Sequence, residues 1–408
     1  MGSYNAVKVK VETVVPFAEA FAETRVLAHY VPMFKGREEE ADDFSAARRL
    51  RPLIGSDYDS TDPRVTRYHL SLLEAVGVRG VVARWFGTRT GSRFERNLRA
   101  TDALFEACGE RGFAFAVCYD HRVVCADDKD ALASRLRADF CYLRDAYFSR
   151  GRTYALDGDG APIVLVLGNS ETATDLSEWD AVLNDVFKTT RRPRLLLSTN
   201  GGEPPGTCGR FAWPPEAQRG AAMPLAAVAQ FYEACYAEGA PGKHSGEQLV
   251  MGAVVSQYGR PRQEGSLARS SRRPSATSQT TGGGPEFDAR ALAMGFRAAA
   301  ASGKAPPFLQ LCSFNDFEHG AVLEPTTECN FDALLALQRQ LVGRPDARVR
   351  EELEVIFREA RAFVGAPRSP PGDPNEKFGS GGGGDTLDDL PDITIAAIDF
   401  SSSPYSPK

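Results

Sequence analysis

Residues Asp62–Trp85 read DPRVTRYHLSLLEAVGVRGVVARW, and the two halves of this stretch follow different periodicities. In the first half Asp62 caps a helix and Pro63 occupies its first turn. Val65, Leu72, Leu73 and Val76 then make one apolar stripe before Gly77 stops the helix. The second half, Val78–Trp85, is a nearly continuous apolar run, as expected of a parallel strand buried on both faces. A helix feeding such a strand is one αβ step. Similar strands are predicted at Val26–Val31, Gly80–Trp85, Phe113–Tyr119, Pro162–Leu167, Arg194–Ser198, Gly209–Trp213, Leu249–Gln257 and Phe308–Phe314. Eight such runs, most of them separated by helical or long connections, predict an α/β fold with a single (β/α)8 TIM barrel rather than a sandwich. The sixth run is the weakest, and its connection from the fifth is short for a crossover helix. A last helix is predicted over Ala347–Val364 from its alternation of charged and apolar residues.

The 408 residues divide into an N-terminal extension (1–24), the barrel (25–364) and a Gly/Pro/Ser-rich tail (365–408). The tail runs through Pro367, Pro370, Pro371 and Pro374 into Gly379–Gly384 and is expected to be disordered, because it has too little apolar surface to offset its ordering entropy. It ends in the acidic, β-branched segment Leu387–Phe400, which reads as part of the disordered tail, with a short docking motif for a protein partner as the alternative. A second Arg-, Ser- and Gly-rich run, Gly259–Gly284, follows the seventh strand; it reads as a solvated loop, with a lid over the site as the alternative.

A net charge of −6 argues against a nucleic-acid partner. No run approaches the roughly 18 apolar residues of a membrane span. Met1–Phe21 is broken by Lys8, Lys10, Glu12 and Glu19, which is not the order of a secretory signal. The eight cysteines contain no Cys-x-x-Cys pair, so they read as buried thiols and no cofactor or structural metal is expected.

In a barrel of this kind chemistry collects where strands end and βα loops begin. Strand one ends in His29, Tyr30, Pro32 and Phe34, the second in Arg84, Trp85 and Phe86, and the third in Tyr119, Asp120, His121 and Arg122. The seventh ends in Gln257 and Tyr258, the eighth in Asn315, Asp316, Glu318 and His319. These residue types suit a carbohydrate substrate. Tyr30, Trp85, Phe86 and Tyr258 have flat apolar faces for sugar rings. Asp120, Asn315, Asp316 and Gln257 can bond hydroxyls, with His121 beside them, and paired acidic groups can run acid–base chemistry at a glycosidic bond.

The segment Phe314-Asn-Asp-Phe-Glu-His-Gly-Ala-Val-Leu-Glu-Pro-Thr326 resembles the last-strand motif of family 99 glycoside hydrolases and their family 71/99-like relatives. Supporting matches follow in order: His29–Phe34 on strand one, Tyr58–Pro63 opening the first long helix, Gly77–Gly87 on strand two and Phe115–Asp120 on strand three. The resemblance covers about Val26 to Leu341. It implies a (β/α)8 barrel acting on α-linked, mannose-containing glycans. In that family one carboxylate of the last-strand loop assists the sugar 2-hydroxyl, which attacks the anomeric carbon, and a second serves as acid and then base. By position Asp316 matches the first. The second position holds His319, with Glu318 beside it. The resemblance also implies a hydroxyl contact at Asp120 and sugar contacts at Tyr30 and Trp85. The family's members work in secretory compartments or outside cells, whereas the chain shows no signal and so reads as cytoplasmic; the compartment stays open.

Several readings stand side by side at this stage. His319 is the acid; or Glu318 is, with the loop shifted by one residue; or catalysis is lost and a glycan-binding barrel is left. A metal-dependent hydrolase is a rival, with His29, His121, His319 and Asp120 as zinc ligands, although strand one lacks a His-x-His pair. A Cys312–His319 nucleophile is weaker, since Cys312 lies within an apolar strand run.

Overall fold

The computed structural model describes residues 24–34, 50–55, 58–121, 129–150, 153–168, 176–198, 209–214, 225–236, 249–256, 258–259, 286–301, 307–317, 320–343 and 346–363. Twelve strands lie among them: β1 (Arg25–Tyr30), β2 (Gly80–Trp85), β3 (Ala114–Asp120), β4 (Ile163–Leu167), β5 (Arg194–Ser198), β6 (Gly209–Phe211), β7 (Val250–Val255), β8 (Tyr258–Gly259), β9 (Glu286–Phe287), β10 (Phe308–Cys312), β11 (Asn315–Asp316) and β12 (Ala321–Val322). Strands β1–β7 and β10 close into a parallel barrel, each paired with its neighbours in chain order, and β10 returns to pair with β1. The remaining strands form two short antiparallel hairpins, β8–β9 and β11–β12.

The predicted (β/α)8 barrel is therefore the fold, and each predicted strand overlaps one of its staves, with β1 beginning one residue earlier and β3 ending one residue later than predicted. The sixth is the shortest, at three residues. The helices are α1 (Pro63–Ala75), α2 (Ser92–Arg111), α3 (Lys129–Tyr142), α4 (Leu176–Val186), α5 (Leu225–Tyr236), α6 (Ala289–Ala301), α7 (Asp332–Val342) and α8 (Ala347–Phe363). A π-helical turn, Leu143–Phe148, continues α3. In α1 the Asp62 carboxylate accepts the Arg64 N–H at 2.9 Å, as its capping role predicts, and Gly77 leaves the helix at φ 88°. Helix α8 packs on α1. No helix among the described residues is long and apolar enough to cross a membrane.

The barrel sorts its side chains by strand parity. Leu27, Val82, Cys118, Leu165, Leu196, Phe211, Met251 and Phe308, one from each stave, belong to a single buried cluster. Only side chains facing the axis can meet across all eight strands, so these positions define the interior. Each fully buried aliphatic side chain contributes roughly 1.5–3 kcal/mol. Their neighbours in sequence, among them Ala28, Val81, Val117, Val164 and Leu309, join the larger cluster between barrel and helices. With a period of two, the next inward layer toward the C-terminal mouth holds His29, Arg84, Asp120 and Gln310. The interior thus changes from apolar to polar one layer below the mouth.

Residues 364–408, with the expected tail and the Leu387–Phe400 segment, lie outside the described residues, as do the first 23 residues and most of the Gly259–Gly284 run.

Candidate active site

Asp120 and Arg84 sit side by side on adjacent strands. The Arg84 guanidinium donates to one carboxylate oxygen, Oδ2, from Nη2 at 2.6 Å and from Nε at 2.8 Å. The Asp120 side chain is fully buried, and Arg84 keeps about 12% of its side chain exposed. Such a pair holds its charges in a space that a lone carboxylate would not tolerate.

His29, 1% exposed, stands on β1, the strand next to the β2 that carries Arg84. Burial and the Arg84 charge pull its pKa down to about 4, against the opposing pull of Asp316, Asp120 and the Gln310 side chain. At neutral pH the ring is uncharged, with one donor and one acceptor nitrogen. Neither nitrogen has a protein hydrogen-bond partner. Gln310 approaches the ring, but its amide donates instead to the Ala212 carbonyl at 2.6 Å, and its Oε1 is also left unpartnered. Buried polar atoms without partners each cost about 1–3 kcal/mol, so this layer has donors and acceptors to offer. Trp213, just past the end of β6, tilts its ring against His29 with centroids 4.7 Å apart and stays partly exposed.

Asp316 enters from the last-strand loop. The β11–β12 hairpin pairs Asn315 with Val322 and Asp316 with Ala321. Ser313 pins it from below: its hydroxyl accepts the Asp316 N–H at 3.0 Å and donates to the Ala321 carbonyl at 2.6 Å. Asp316 is 8% exposed, and its charge favours the protonated imidazole of His29. His29, Arg84, Asp120, Gln310 and Asp316 therefore converge, with Trp213 at their edge.

The other expected residues fall elsewhere. Tyr30 and Trp85, expected to contact sugars, are fully buried. Parity is the reason: each directly follows an inward-facing residue and points outward. Tyr30 stacks on Phe314 and shares a 2.7 Å hydrogen bond between its hydroxyl and His69 Nδ1, while Trp85 packs against Tyr119 and Tyr142. Asn315 also turns from the mouth. Its side chain clamps the end of β1, accepting the Val31 N–H at 2.7 Å and donating to the Val31 carbonyl at 3.2 Å. His121 lies beside Trp179 and Tyr119, with its pKa lowered by burial and both ring nitrogens unpartnered. Tyr258 pairs through its backbone with Phe287; its side chain lies outside the described residues, as do Arg122, Gln257, Glu318 and His319. Among the described residues no group of three or more His, Cys, Asp or Glu side chains is placed to hold a metal ion.

Strand-end reading named His29, Arg84, Asp120 and Asp316 but did not single out Gln310 or Trp213. The signal was available: each of these two stands two residues after an inward apolar residue, namely Phe308 and Phe211.

The closed parallel barrel has a GH99-like barrel fold. The chain is similar in structure to the GH99 endo-alpha-mannosidase from Bacteroides thetaiotaomicron, with a TM-score of 0.51 and 14% identity, covering 83% of this chain and 98% of that one. The structure of a GH99 endo-alpha-mannosidase from that organism in complex with bis-tris-propane gives a TM-score of 0.50 and 15% identity, with the same coverage. No family model matches the chain, and no curated protein matches it.

Proposed function

We propose that the barrel mouth is the active site of a glycoside hydrolase for α-linked glycans, with mannose-containing substrates the foremost candidates. The observation that carries this reading is the convergence of Asp316 on His29, beside the Arg84–Asp120 pair, at the C-terminal mouth of a family-99-like barrel. The residues divide the work by their chemistry. Arg84, Asp120, neutral His29 and Gln310 offer donors and acceptors in a water-poor layer, the arrangement that recognises neighbouring sugar hydroxyls. Trp213 supplies an apolar face for a ring.

Asp316 takes the proton of the sugar 2-hydroxyl as that oxygen attacks the anomeric carbon. The departing glycosidic oxygen is protonated by an acid, and the resulting cyclic intermediate is opened by water activated by the conjugate base. Glu318 and His319 are the candidates for this second role. A carboxylic acid becomes an anion on giving up its proton, which suits the positive charge developing on the sugar; a protonated imidazole adds a like charge before transfer. This favours Glu318.

Hydrolysis of α-mannosides and glucosyl-mannosides across pH 5–8, with Glu318→Gln and His319→Ala in parallel, tests the assignment. Turnover abolished by Glu318→Gln and retained in His319→Ala identifies Glu318 as the acid. Glycan binding without turnover in the wild-type protein overturns the hydrolase reading and leaves a glycan-binding barrel.

A further inference from the structure

Behind the mouth, on the other side of β1, lies a polar cluster with no part in the proposed reaction. Glu324 is completely buried, and so is His69 on α1. His69 stands between two oxygens: Nδ1 is 2.7 Å from the Tyr30 hydroxyl and Nε2 is 3.4 Å from Glu324 Oε1. The Tyr58 hydroxyl donates to Glu324 Oε2 at 3.0 Å and also approaches the Asn315 side chain. Burial first, and then the nearby Glu324 charge, hold the phenols of Tyr30, Tyr58 and Tyr68 well above their ordinary pKa.

The cluster is tied to the hairpin that carries Asp316. The N–H groups of Leu323 and Glu324 both donate to the Phe314 carbonyl, at 2.7 and 2.8 Å, and Phe314 N–H donates to the His29 carbonyl at 2.8 Å. The Phe314 ring stacks on Tyr30 and meets His69 edge-on. His29 and Tyr30 are adjacent on β1 and face opposite ways. Asp316 acts on the first from the barrel axis, and Glu324 lies against the cluster of the second. A carboxylate removed from water costs several kcal/mol unless its partners are in place. In the observed register Tyr58 donates to one Glu324 oxygen and His69 Nε2 lies 3.4 Å from the other, without a hydrogen bond; a shift of one residue would break both contacts.

We propose that Glu324 and His69 form a positioning pair for Asp316, holding the β11–β12 hairpin in one register on β1. The predicted effect on turnover rests on the hydrolase reading; the predicted effect on the hairpin does not.

Hydrogen exchange of the full-length protein, read by mass spectrometry alongside thermal unfolding and kinetics on an aryl α-mannoside and a glucosyl-mannoside, tests the pair. In Glu324→Gln, exchange over residues 313–324 is expected to rise about tenfold or more while peptides of α2 and β4 are unchanged, since local opening is set by local contacts. The kcat falls by about tenfold or more with KM within about twofold, the pattern of a misaligned reacting group rather than a lost binding contact. His69→Gln is expected to behave in the same way, and the milder Tyr58→Phe to move both readouts in the same direction. Asp316→Asn is expected to leave hairpin exchange unchanged. If hairpin exchange is unmoved in folded Glu324→Gln, or is raised equally throughout the barrel, the proposal is overturned. If Glu324→Gln does not fold, Tyr58→Phe decides by the same criterion. Where the wild-type protein turns over neither glycoside, the hydrolase reading fails while exchange still decides the pair.

Discussion

Arg84 holds Asp120 through a single carboxylate oxygen, with Nη2 and Nε 2.6 and 2.8 Å from Oδ2 and the aspartate wholly out of water. The stability of the barrel and the polarity of its mouth meet in this contact. Removing the arginine alone takes its charge partner from a buried carboxylate, a loss that costs about 3–5 kcal/mol. Arg84→Met is therefore expected to lower stability in urea unfolding by about that amount. Arg84→Met combined with Asp120→Leu recovers most of it, because the buried carboxylate is gone. Equal losses in the single and double variants would show that the pair is not coupled.

The His29 ring makes stability depend on pH in a defined direction. Its folded pKa of about 4 lies below the ordinary 6.5, so between these values the unfolded chain binds a proton that the folded chain does not. Stability from this group is present above pH 6.5 and is lost as the pH falls toward 4, by up to about 3 kcal/mol at 1.36 kcal/mol per pH unit. His121 shifts in the same direction, so His29→Gln isolates the first contribution. Urea unfolding at pH 7 and at pH 4.5 is expected to show a smaller acid loss in His29→Gln than in the wild type; identical losses would contradict the assignment.

Parity makes opposite predictions for two tryptophans. Trp85→Ala empties a fully buried outer position and is expected to cost about 3–5 kcal/mol in stability. Trp213→Ala removes a partly exposed ring at the mouth; it is expected to raise KM for a glycan substrate by about tenfold or more, with a much smaller change in Tm. The reverse pattern would mean that the mouth is built differently.

The barrel was legible because buried parallel strands write themselves as short apolar runs, and Asp62, Pro63 and Gly77 mark α1 unambiguously. Asp120 and Asp316 stood out as candidates because a carboxylate at a strand end has few structural uses. The burial of Tyr30 and Trp85 was not legible for a physical reason: being at a strand end does not say which way a side chain points, and a bulky aromatic is as welcome against a helix as at a rim. The direction follows once Leu27 and Val82 are known to face the axis, and that is a property of the closed barrel. The Glu324–His69 contact joins α1 to the last-strand loop across most of the chain, and no local pattern announces it.

The most direct test of the account is turnover of an α-mannoside or glucosyl-mannoside by the wild-type protein and by Asp316→Asn, with Tm measured on both. The account predicts hydrolysis by the wild type and a loss of at least about a hundredfold in kcat for Asp316→Asn at unchanged Tm, the scale expected when a base is removed. Hydrolysis that survives Asp316→Asn undiminished would contradict it.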